Sequence, residues 1–165
     1  MPYDLKNRFA LVTGSSRGIG AAIATELASL GDGVVLHCHK ERLQAETVAR
    51  EITALGGVAR VIQADLNSST GAADLVREAF SASRNLDILV NNAGVFDGAE
   101  LATLTEEQID RVLRVNVRSM LVATREFITR IHTPVGRIIN ISSIAGHVPS
   151  GIVRSMRPAK PRLSR

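Results

Sequence analysis

Cysteine, aromatic residues and long apolar runs are scarce in this 165-residue chain, which contains one Cys, one Tyr and no Trp. Because a disulfide joins two cysteines, Cys38 cannot form one within the chain, which fits a reducing compartment. No apolar run approaches the ~18 residues that cross a bilayer, and the first residues lack the apolar stretch of a secretory signal. We therefore expect a soluble cytoplasmic protein without a membrane partner.

Acidic residues are absent after Gly151, and five basic residues follow it: Arg154, Arg157, Lys160, Arg162 and Arg165. Residues 1–151 carry 15 basic and 16 acidic residues, so the sequence pI of about 10.0 reflects the tail. No basic face or nucleic-acid motif occurs elsewhere, so we expect no specific nucleic-acid partner. The chain is predicted to form one domain over residues 1–151, followed by a basic, irregular tail over residues 152–165.

Short apolar runs alternate with segments of helical periodicity. The predicted strands are Phe9–Val12, Val34–Leu36, Val58–Ile62, Leu86–Val90 and Arg137–Ile141. Between the first two strands, apolar residues recur at helical spacing up to Leu30, and Gly31 is expected to end that helix in the left-handed conformation. Repetition of strand, helix and strand predicts an α/β fold with a parallel sheet and right-handed crossovers.

The longest helix is predicted from about Glu106 to Ile131. Thr105 and Gln108 form a capping-box pair at its start. One apolar stripe is expected to follow: Ile109, Val112, Leu113, Val117, Met120, Leu121, Phe127, Ile128 and Ile131. Asn116 falls inside this stripe, and a buried amide without partners costs about 1–3 kcal/mol. The residues alone favour a core Asn bonded to local backbone.

A glycine-rich segment, residues 13–20 with the sequence TGSSRGIG, directly follows the first strand and opens the first helix. Gly14 permits a tight turn, Gly18 lets the backbone approach a ligand, and Gly20 lets helix and strand pack closely. Because N–H groups at a helix start attract anions, the order strand, loop, helix favours a dinucleotide diphosphate site over an ordinary turn. The candidate residues here are Gly14, Ser16, Arg17, Gly18, Ile19 and Gly20.

The end of the second strand is where a coenzyme's adenosine ribose is read, and an acidic residue there selects NAD. This chain has His39 and Lys40 instead, and Lys40 with Arg17 could pair with a 2′-phosphate. We therefore expect NADP rather than NAD, with His39 and Lys40 as candidate binding residues. The alternative is that Lys40 begins a solvated helix and that the neighbouring residues are strand packing.

A metal site is not expected at the same strand end. His37, Cys38 and His39 are adjacent, and residues 37 and 39 share one strand face. No further ligand is identifiable in the sequence, so the segment does not provide the set that zinc requires.

Five motifs in order resemble the short-chain dehydrogenase/reductase family over nearly all of residues 5–151. They are Thr13–Gly20, Asp65-Leu66, Asn91–Gly94 with the sequence NNAG, Asn116, and Gly136–Ser143 with the sequence GRIINISS. The resemblance extends to bacterial 3-oxoacyl-carrier-protein reductases, but many sugar, polyol and steroid enzymes share it. It implies a Rossmann-like, doubly wound sheet of about five strands in the order 3-2-1-4-5.

The same resemblance implies roles for single residues. Asp65, with Leu66, would contact the adenine. The segment Asn91–Gly94, with Asn92, Ala93 and Gly94 as the candidate binding residues, would brace the centre of the sheet and line the coenzyme cleft. Asn116 would hold a water in a proton relay and Ser143 would hydrogen-bond the substrate oxygen, which makes these two the candidate catalytic residues. Turn formation after strands is the alternative reading for Asp65 and for the NNAG segment.

The implied reaction is hydride transfer between a nicotinamide and a carbonyl or alcohol substrate, with a Tyr and a Lys four residues later handling the proton. Family spacing puts that Tyr at position 156, which is Met156, and the only phenol belongs to Tyr3. Lys160 has the expected position but lies between Pro158 and Pro161, where the family has a helix. We expect impaired catalysis; the alternatives are an inactive dinucleotide-binding module or an interaction protein.

The tail also fits an out-of-frame reading of the missing motif. With a suitable choice of degenerate codons, one G inserted after codon 154 yields RVYAASKAALEP, which restores Tyr at 156 and Lys at 160. A natural basic C-terminus is the alternative. Either way, we expect a truncated fold whose fifth strand and longest helix expose apolar area, and hence homo-oligomer formation or abnormal self-association.

Overall fold

The structure is a computed structural model that describes residues 5–83, 86–98, 101–133 and 136–143. The strands are β1 (Leu5–Val12), β2 (Gly31–Cys38), β3 (Val58–Gln63), β4 (Leu86–Asn91) and β5 (Arg137–Asn140). The α-helices are α1 (Gly18–Leu30), α2 (Arg42–Ala54), α3 (Gly71–Ala82), α4 (Glu106–Leu113) and α5 (Ser119–Arg130). A 3-10 turn spans Leu101–Thr103, and a π-helical turn, Arg114–Arg118, joins α4 to α5.

The five strands form one parallel sheet in the order β3-β2-β1-β4-β5. This is the predicted fold class and strand order, although β1 and β2 begin earlier than predicted. Ile141 lies outside β5, yet its N–H still donates to the carbonyl of Asn91 at 2.9 Å. The chain order reverses between β1 and β4, so a crevice opens beyond the carboxyl ends of these two strands.

Two clusters of buried side chains cover the two faces of the sheet. Leu11 and Leu89 project to one face, where they pack in the cluster that contains Leu75 of α3 and Phe127 of α5. Their neighbours Val12 and Val90 belong to the opposite cluster, which includes residues of α1 and α2. This alternation follows from the two-residue period of a strand. Since each buried aliphatic side chain contributes roughly 1.5–3 kcal/mol, the two layers hold the strand ends rigidly.

The predicted left-handed end of the first helix is wrong. Gly31 has φ −131°, in the extended region, and it is the first residue of β2. The space for a side chain there is tight instead: a Cβ would lie 3.1 Å from the carbonyl oxygen of Arg8, so the neighbouring backbone would have to shift slightly to accept one. The chain therefore passes from α1 to β2 without a loop.

The predicted long helix is interrupted. Its capping box is present, because Gln108 N–H donates to Thr105 Oγ1 at 3.2 Å and Thr105 N–H donates to Gln108 Oε1 at 2.9 Å. The π turn then inserts an extra residue into the helical repeat, which changes the direction of the side chains that follow. The apolar stripe is accordingly not one buried face: Phe127 is buried, but Ile109, Leu113, Val117, Leu121 and Ile128 are exposed.

β5 lies at the edge of the sheet, as expected. Every residue of β5 is exposed, whereas every residue of its neighbour β4 is buried. Tyr3, Met156, Lys160 and the predicted boundary at residue 151 lie outside the described residues. Within the described ranges, no helix is long and apolar enough to cross a membrane.

Candidate functional site

A cavity of about 850 Å³ lies beyond the carboxyl ends of the central strands. Eleven of the thirteen predicted coenzyme-binding residues line it. They are Gly14, Ser16, Arg17, Gly18, His39, Lys40, Asp65, Leu66, Asn92, Ala93 and Gly94. Ile19 and Gly20 do not line it, and neither do Asn116 and Ser143. The sheet thus brings four separate segments, one after each of β1, β2, β3 and β4, around one opening.

The glycine-rich turn between β1 and α1 is closely packed on one side. Gly14 has φ +65°, and a Cβ on it would lie 2.9 Å from the Cα of Ala93. A Cβ on Gly20 would overlap the carbonyl oxygen of Gly14 and would lie 2.5 Å from Nδ2 of Asn92. Gly20 is therefore required for contact with the turn and with the NNAG segment, rather than for helix packing on a strand as the sequence suggested.

The opposite side of the turn is open. Gly18 has φ +58°, and no atom lies within 4 Å of the position of a Cβ. In the part of the chain that the structure describes, the backbone N–H groups of residues 16–20 have no hydrogen-bond acceptor, and the α1 N-cap residue Arg17 makes no side-chain cap bond. Unpaired N–H groups at a helix start attract an anion. This cradle fits the diphosphate of a dinucleotide.

Thr13 joins the ends of β1 and β4. Its buried Oγ1 donates to the carbonyl of Val90 at 3.2 Å and accepts from the N–H groups of Asn92 and Ala93, both at 2.9 Å. The Asn92 side chain returns the contact, since its Nδ2 donates to the carbonyls of Thr13 at 2.9 Å and Gly14 at 3.1 Å. The NNAG segment is thereby fixed against the glycine turn.

His37 joins the same turn to β2 and β3, and the sequence analysis did not identify this role. The N–H of Gly14 donates to His37 Nδ1 at 3.0 Å, and His37 Nε2 lies 3.1 Å from the carbonyl of Ala64. Burial, the largest cause, lowers the pKa of His37 from 6.5 to about 4. A histidine two residues before the expected ribose-reading position was the available signal.

The part of the cavity nearest β2 and β3 carries positive and negative groups. Arg17, His39 and Lys40 are exposed on its wall. His39 Nε2 lies 3.6 Å from Asp65 Oδ1, and the same oxygen accepts the N–H of Asn67 at 2.9 Å. Asp65 therefore forms the turn that the alternative reading predicted, and it also faces the cavity.

Asn116 lies in the π turn. Its Oδ1 accepts the N–H of Val95 and its Nδ2 donates to the carbonyl of Val95, both at 2.8 Å. The amide is thus satisfied, as the residues alone favoured, but its partner is distant in sequence rather than local. Because both polar atoms of the carboxamide are engaged, this side chain holds the segment after Gly94 in place.

Asn91 and Ser143 lie on the β5 side of the site. Asn91 Nδ2 donates to Asn140 Oδ1 at 2.9 Å and to Thr124 Oγ1 at 3.1 Å, so it links β4 to β5 and α5. Of the two roles that the resemblance implies for Asn91–Gly94, Asn91 has contacts suited to bracing the sheet, but it does not line the cavity. Ser143 is exposed, three residues beyond the end of β5.

The sequence analysis missed further residues on the cavity wall, including Asn67, Arg111 and Val115. Arg111 Nη1 is held by Asp97 Oδ1 at 2.6 Å, and Arg114 Nε donates to Asn67 Oδ1 at 3.0 Å. Asn67 directly follows the Asp65-Leu66 motif and Val115 directly precedes Asn116, so the positions of these two residues offered a signal. Arg111 could not be found, because its place on the cavity wall depends on where α4 packs.

The His37-Cys38-His39 segment does not assemble a metal site in the structure. Both ring nitrogens of His37 face backbone groups, and burial raises the pKa of the Cys38 thiol. Among residues 5–83, 86–98, 101–133 and 136–143, no group of three or more His, Cys, Asp or Glu residues could hold an ion.

Comparison with known proteins gives a consistent result. The family model described as short chain dehydrogenase matches residues 8–155. The short chain dehydrogenase/reductase AacuN of Aspergillus aculeatus is 43% identical over 146 residues, which are 88% of this chain and 55% of that protein. An uncharacterized oxidoreductase of Methylorubrum extorquens is 42% identical over 144 residues, which are 87% of this chain and 58% of that protein.

Solved structures are similar over the same region. A short chain dehydrogenase of Burkholderia cenocepacia in complex with NADP has a TM-score of 0.83 and 42% identity, covering 89% of this chain and 60% of that one. A 3-oxoacyl (acyl-carrier-protein) reductase of Agrobacterium tumefaciens with NADP bound has a TM-score of 0.82 and 36% identity, covering 93% and 59%. The chain spans a little over half the length of the proteins that it matches.

Proposed function

The chain belongs to the short chain dehydrogenase family, and from this premise we propose that it binds NADP(H) for hydride transfer between a nicotinamide and a small carbonyl or alcohol substrate. The observation that carries the proposal is the open side of the glycine turn. There the N–H groups of residues 16–20 have no acceptor among the described residues, and residues 16–18 line a cavity of about 850 Å³.

We assign parts of the coenzyme to residues of the cavity wall. Gly18, with Ser16 and Ile19 beside it, would hold the diphosphate through backbone N–H groups. Asp65 and the buried Leu66 would contact the adenine, and Asn92, Ala93 and Gly94 would line the path toward the nicotinamide. When bound, the coenzyme supplies or accepts the hydride, while the protein orients it and excludes water.

We propose NADP rather than NAD because of the charged side chains near the end of β2. Arg17, His39 and Lys40 line the cavity near the end of β2, where the first two residues after the strand are basic or neutral rather than acidic, although Glu41, the third, also lines the cavity. Asp65 lies near His39, but it follows β3 and accepts a backbone N–H. The Burkholderia and Agrobacterium proteins were solved with NADP, which is consistent with this preference.

Ser143 and Asn116 are proposed to serve the reaction in different ways. Ser143, exposed beyond β5, would donate a hydrogen bond to the substrate oxygen. Asn116 would act through position, because its carboxamide fixes the backbone of Val95 beside the cavity. Both residues lie outside the wall of the coenzyme cavity, so they would act where the substrate meets the nicotinamide.

A second candidate function is coenzyme binding without turnover. It is favoured by Met156, which occupies the position where the resemblance implies the proton-transferring Tyr and whose thioether cannot transfer a proton. NADPH binding with no oxidation of NADPH across a panel of ketones and aldehydes would favour this candidate. Oxidation at a measurable rate would favour the enzyme.

The proposed function is tested by titrating the protein with NADPH and, separately, with NADH, while nicotinamide fluorescence is monitored. We expect tighter binding of NADPH, and Lys40→Ala should weaken NADPH by about tenfold because a charge-assisted contact is worth about 1.5–3 kcal/mol. NADH affinity should change less than about twofold, since NADH has no 2′-phosphate.

Arg60→Ala is the matched control, because Arg60 is an exposed basic residue of β3 outside the cavity wall. It should leave both affinities unchanged. The proposal is contradicted if the parent binds neither coenzyme, and the NADP preference is contradicted if Lys40→Ala weakens both coenzymes equally.

A further inference from the structure

His37 is the most buried titratable side chain at the glycine turn, with 2% of its surface exposed. Its ring lies between two backbone groups of different loops. Nδ1 is 3.0 Å from the N–H of Gly14 after β1, and Nε2 is 3.1 Å from the carbonyl of Ala64 after β3. One imidazole therefore bridges the ends of two strands that lie on either side of β2.

These contacts determine the proton on the ring. A backbone N–H can only donate, so Nδ1 must be an unprotonated acceptor. The carbonyl of Ala64 can only accept, so Nε2 carries the hydrogen. The neutral tautomer protonated at Nε2 satisfies both contacts, whereas a doubly protonated ring would direct a hydrogen at the N–H of Gly14.

The backbone of His37 reinforces this attachment. The N–H of Ser15 donates to the carbonyl of His37 at 2.9 Å, and the N–H of His37 donates to Ser15 Oγ at 2.9 Å. Ser15 Oγ in turn donates to the carbonyl of Val12 at 2.8 Å. Residues 14 and 15 are thus held by the end of β2 on one side and by Ala93 on the other.

The contacts of His37 decide which N–H groups of the turn can reach an anion. Gly14 donates to His37 and Ser15 donates to the His37 carbonyl, so neither group is directed at the cavity. Along the glycine turn, Ser16 is the first residue whose N–H has no acceptor among the described residues. The boundary between the bonded and the open part of the turn is therefore fixed by His37.

We propose that His37 is a positioning residue, whose Nδ1 holds the Gly14 N–H so that the N–H groups of residues 16–20 are aligned on the diphosphate of the coenzyme. The inference deepens the proposed function and rests on it. His37 also lines the cavity, but its Nδ1 is engaged by the N–H of Gly14, so the role proposed for this nitrogen acts through the turn.

The charge environment agrees with this role. Burial lowers the pKa of His37 to about 4, and His39 on the same strand end acts in the same direction. His39 is itself 3.6 Å from Asp65. The ring is therefore neutral near pH 7, as the Gly14 contact requires.

The test compares three variants in the full chain. His37→Asn places a side-chain oxygen near the position of Nδ1 and loses the Ala64 contact. His37→Gln places its amide near Nε2 and loses the Gly14 contact, and His37→Leu loses both. Affinity is measured for NADPH and for adenosine 2′-monophosphate, which lacks the diphosphate, under conditions where circular dichroism shows each variant folded.

We expect His37→Leu and His37→Gln to weaken NADPH by about tenfold and His37→Asn by less than about threefold, with adenosine 2′-monophosphate changed less than about twofold in all three. Equal loss of both ligands, or rescue by Gln as good as rescue by Asn, would overturn the proposal. If His37→Leu does not fold, the comparison of His37→Asn with His37→Gln tests the proposal by itself.

A second measurement does not depend on coenzyme. Nitrogen-15 NMR of the parent at pH 7 should show His37 with Nε2 protonated, Nδ1 unprotonated, and a coupling across Nδ1 to the Gly14 amide. A ring protonated at Nδ1 would overturn the inference even if NADPH binds. The expected tautomer in a parent that binds no coenzyme would leave the hydrogen-bond geometry intact and would contradict the proposed function instead.

Discussion

The glycine turn and the α4, α5 and β5 side of the molecule differ in how their groups are satisfied. At the turn, Thr13, His37 and Asn92 make hydrogen bonds between strand ends, and the N–H groups without an acceptor among the described residues belong to residues 16–20, of which residues 16–18 line the cavity. On the other side, apolar residues such as Leu121 (58% exposed) and Ile139 (43%) face solvent. The polar groups of the turn are thus mostly paired across strand ends, whereas α4, α5 and β5 present apolar residues suited to contact with further protein; Ile19, Leu43 and Leu55 on the coenzyme side are exposed as well.

Among substitutions at the turn, the largest effect is expected from Gly20→Ala, which tests how closely the turn is packed. The new methyl would overlap the carbonyl of Gly14, so the turn must move, and we expect a loss of about 3 kcal/mol in the free energy of unfolding. Gly18→Ala is the matched control, because its methyl meets no atom and only the positive φ is strained, at about 1 kcal/mol. Urea unfolding measures both.

NADPH affinities of Gly20→Ala and Gly18→Ala separate the packed side of the turn from its open side. Gly18→Ala should weaken NADPH more than its small stability loss suggests, because its methyl would point into the space left for the coenzyme. Similar stability of the two variants would contradict the packing of the turn described here.

An intermediate effect on the free energy of unfolding is expected when the pH is lowered. The pKa of His37 is about 4 in the folded chain and 6.5 without burial, so the unfolded chain takes up the proton first as pH falls. Stability from the neutral ring is fully present above pH 6.5 and is lost toward pH 4, by about 3 kcal/mol at most. His37→Asn should remove this part of the pH slope. Denaturant unfolding of both proteins at intervals from pH 7 to pH 4 is the measurement, and identical slopes would exclude the assignment.

The smallest effect on stability is expected from the other side of the comparison. Leu121→Gln changes an exposed residue of α5 and should alter the free energy of unfolding by less than about 0.5 kcal/mol. Leu75→Ala, in the buried core on α3, should cost about 2–5 kcal/mol.

Leu121→Gln should have a larger effect on self-association than on stability. If the exposed apolar residues of α4 and α5 mediate contact between copies, sedimentation velocity of Leu121→Gln will show less association than the parent at equal concentration. Unchanged sedimentation would place any association on another surface, and β5 would be the next candidate.

Much of the fold could be predicted because its signals are local. The run Phe9–Val12 predicts a buried strand by apolar content, and the Thr105 and Gln108 pair predicts a helix start by side-chain reach. The glycine turn could be placed for the same reason, since φ above zero at Gly14 and Gly18 is a property of single residues. The π turn could not, because Asn116 gives no sign in the sequence that its partner is Val95.

The sequence by itself determined which segments become strands and where the backbone can bend to meet an anion, because backbone preferences and two-residue or helical periods act over a few positions. Only the tertiary structure decided that His37 meets both Gly14 and Ala64, and that Arg111 and Val115 reach the cavity. Those contacts join residues 23 or more positions apart, so they depend on the strand order and on the packing of α4 rather than on any local preference.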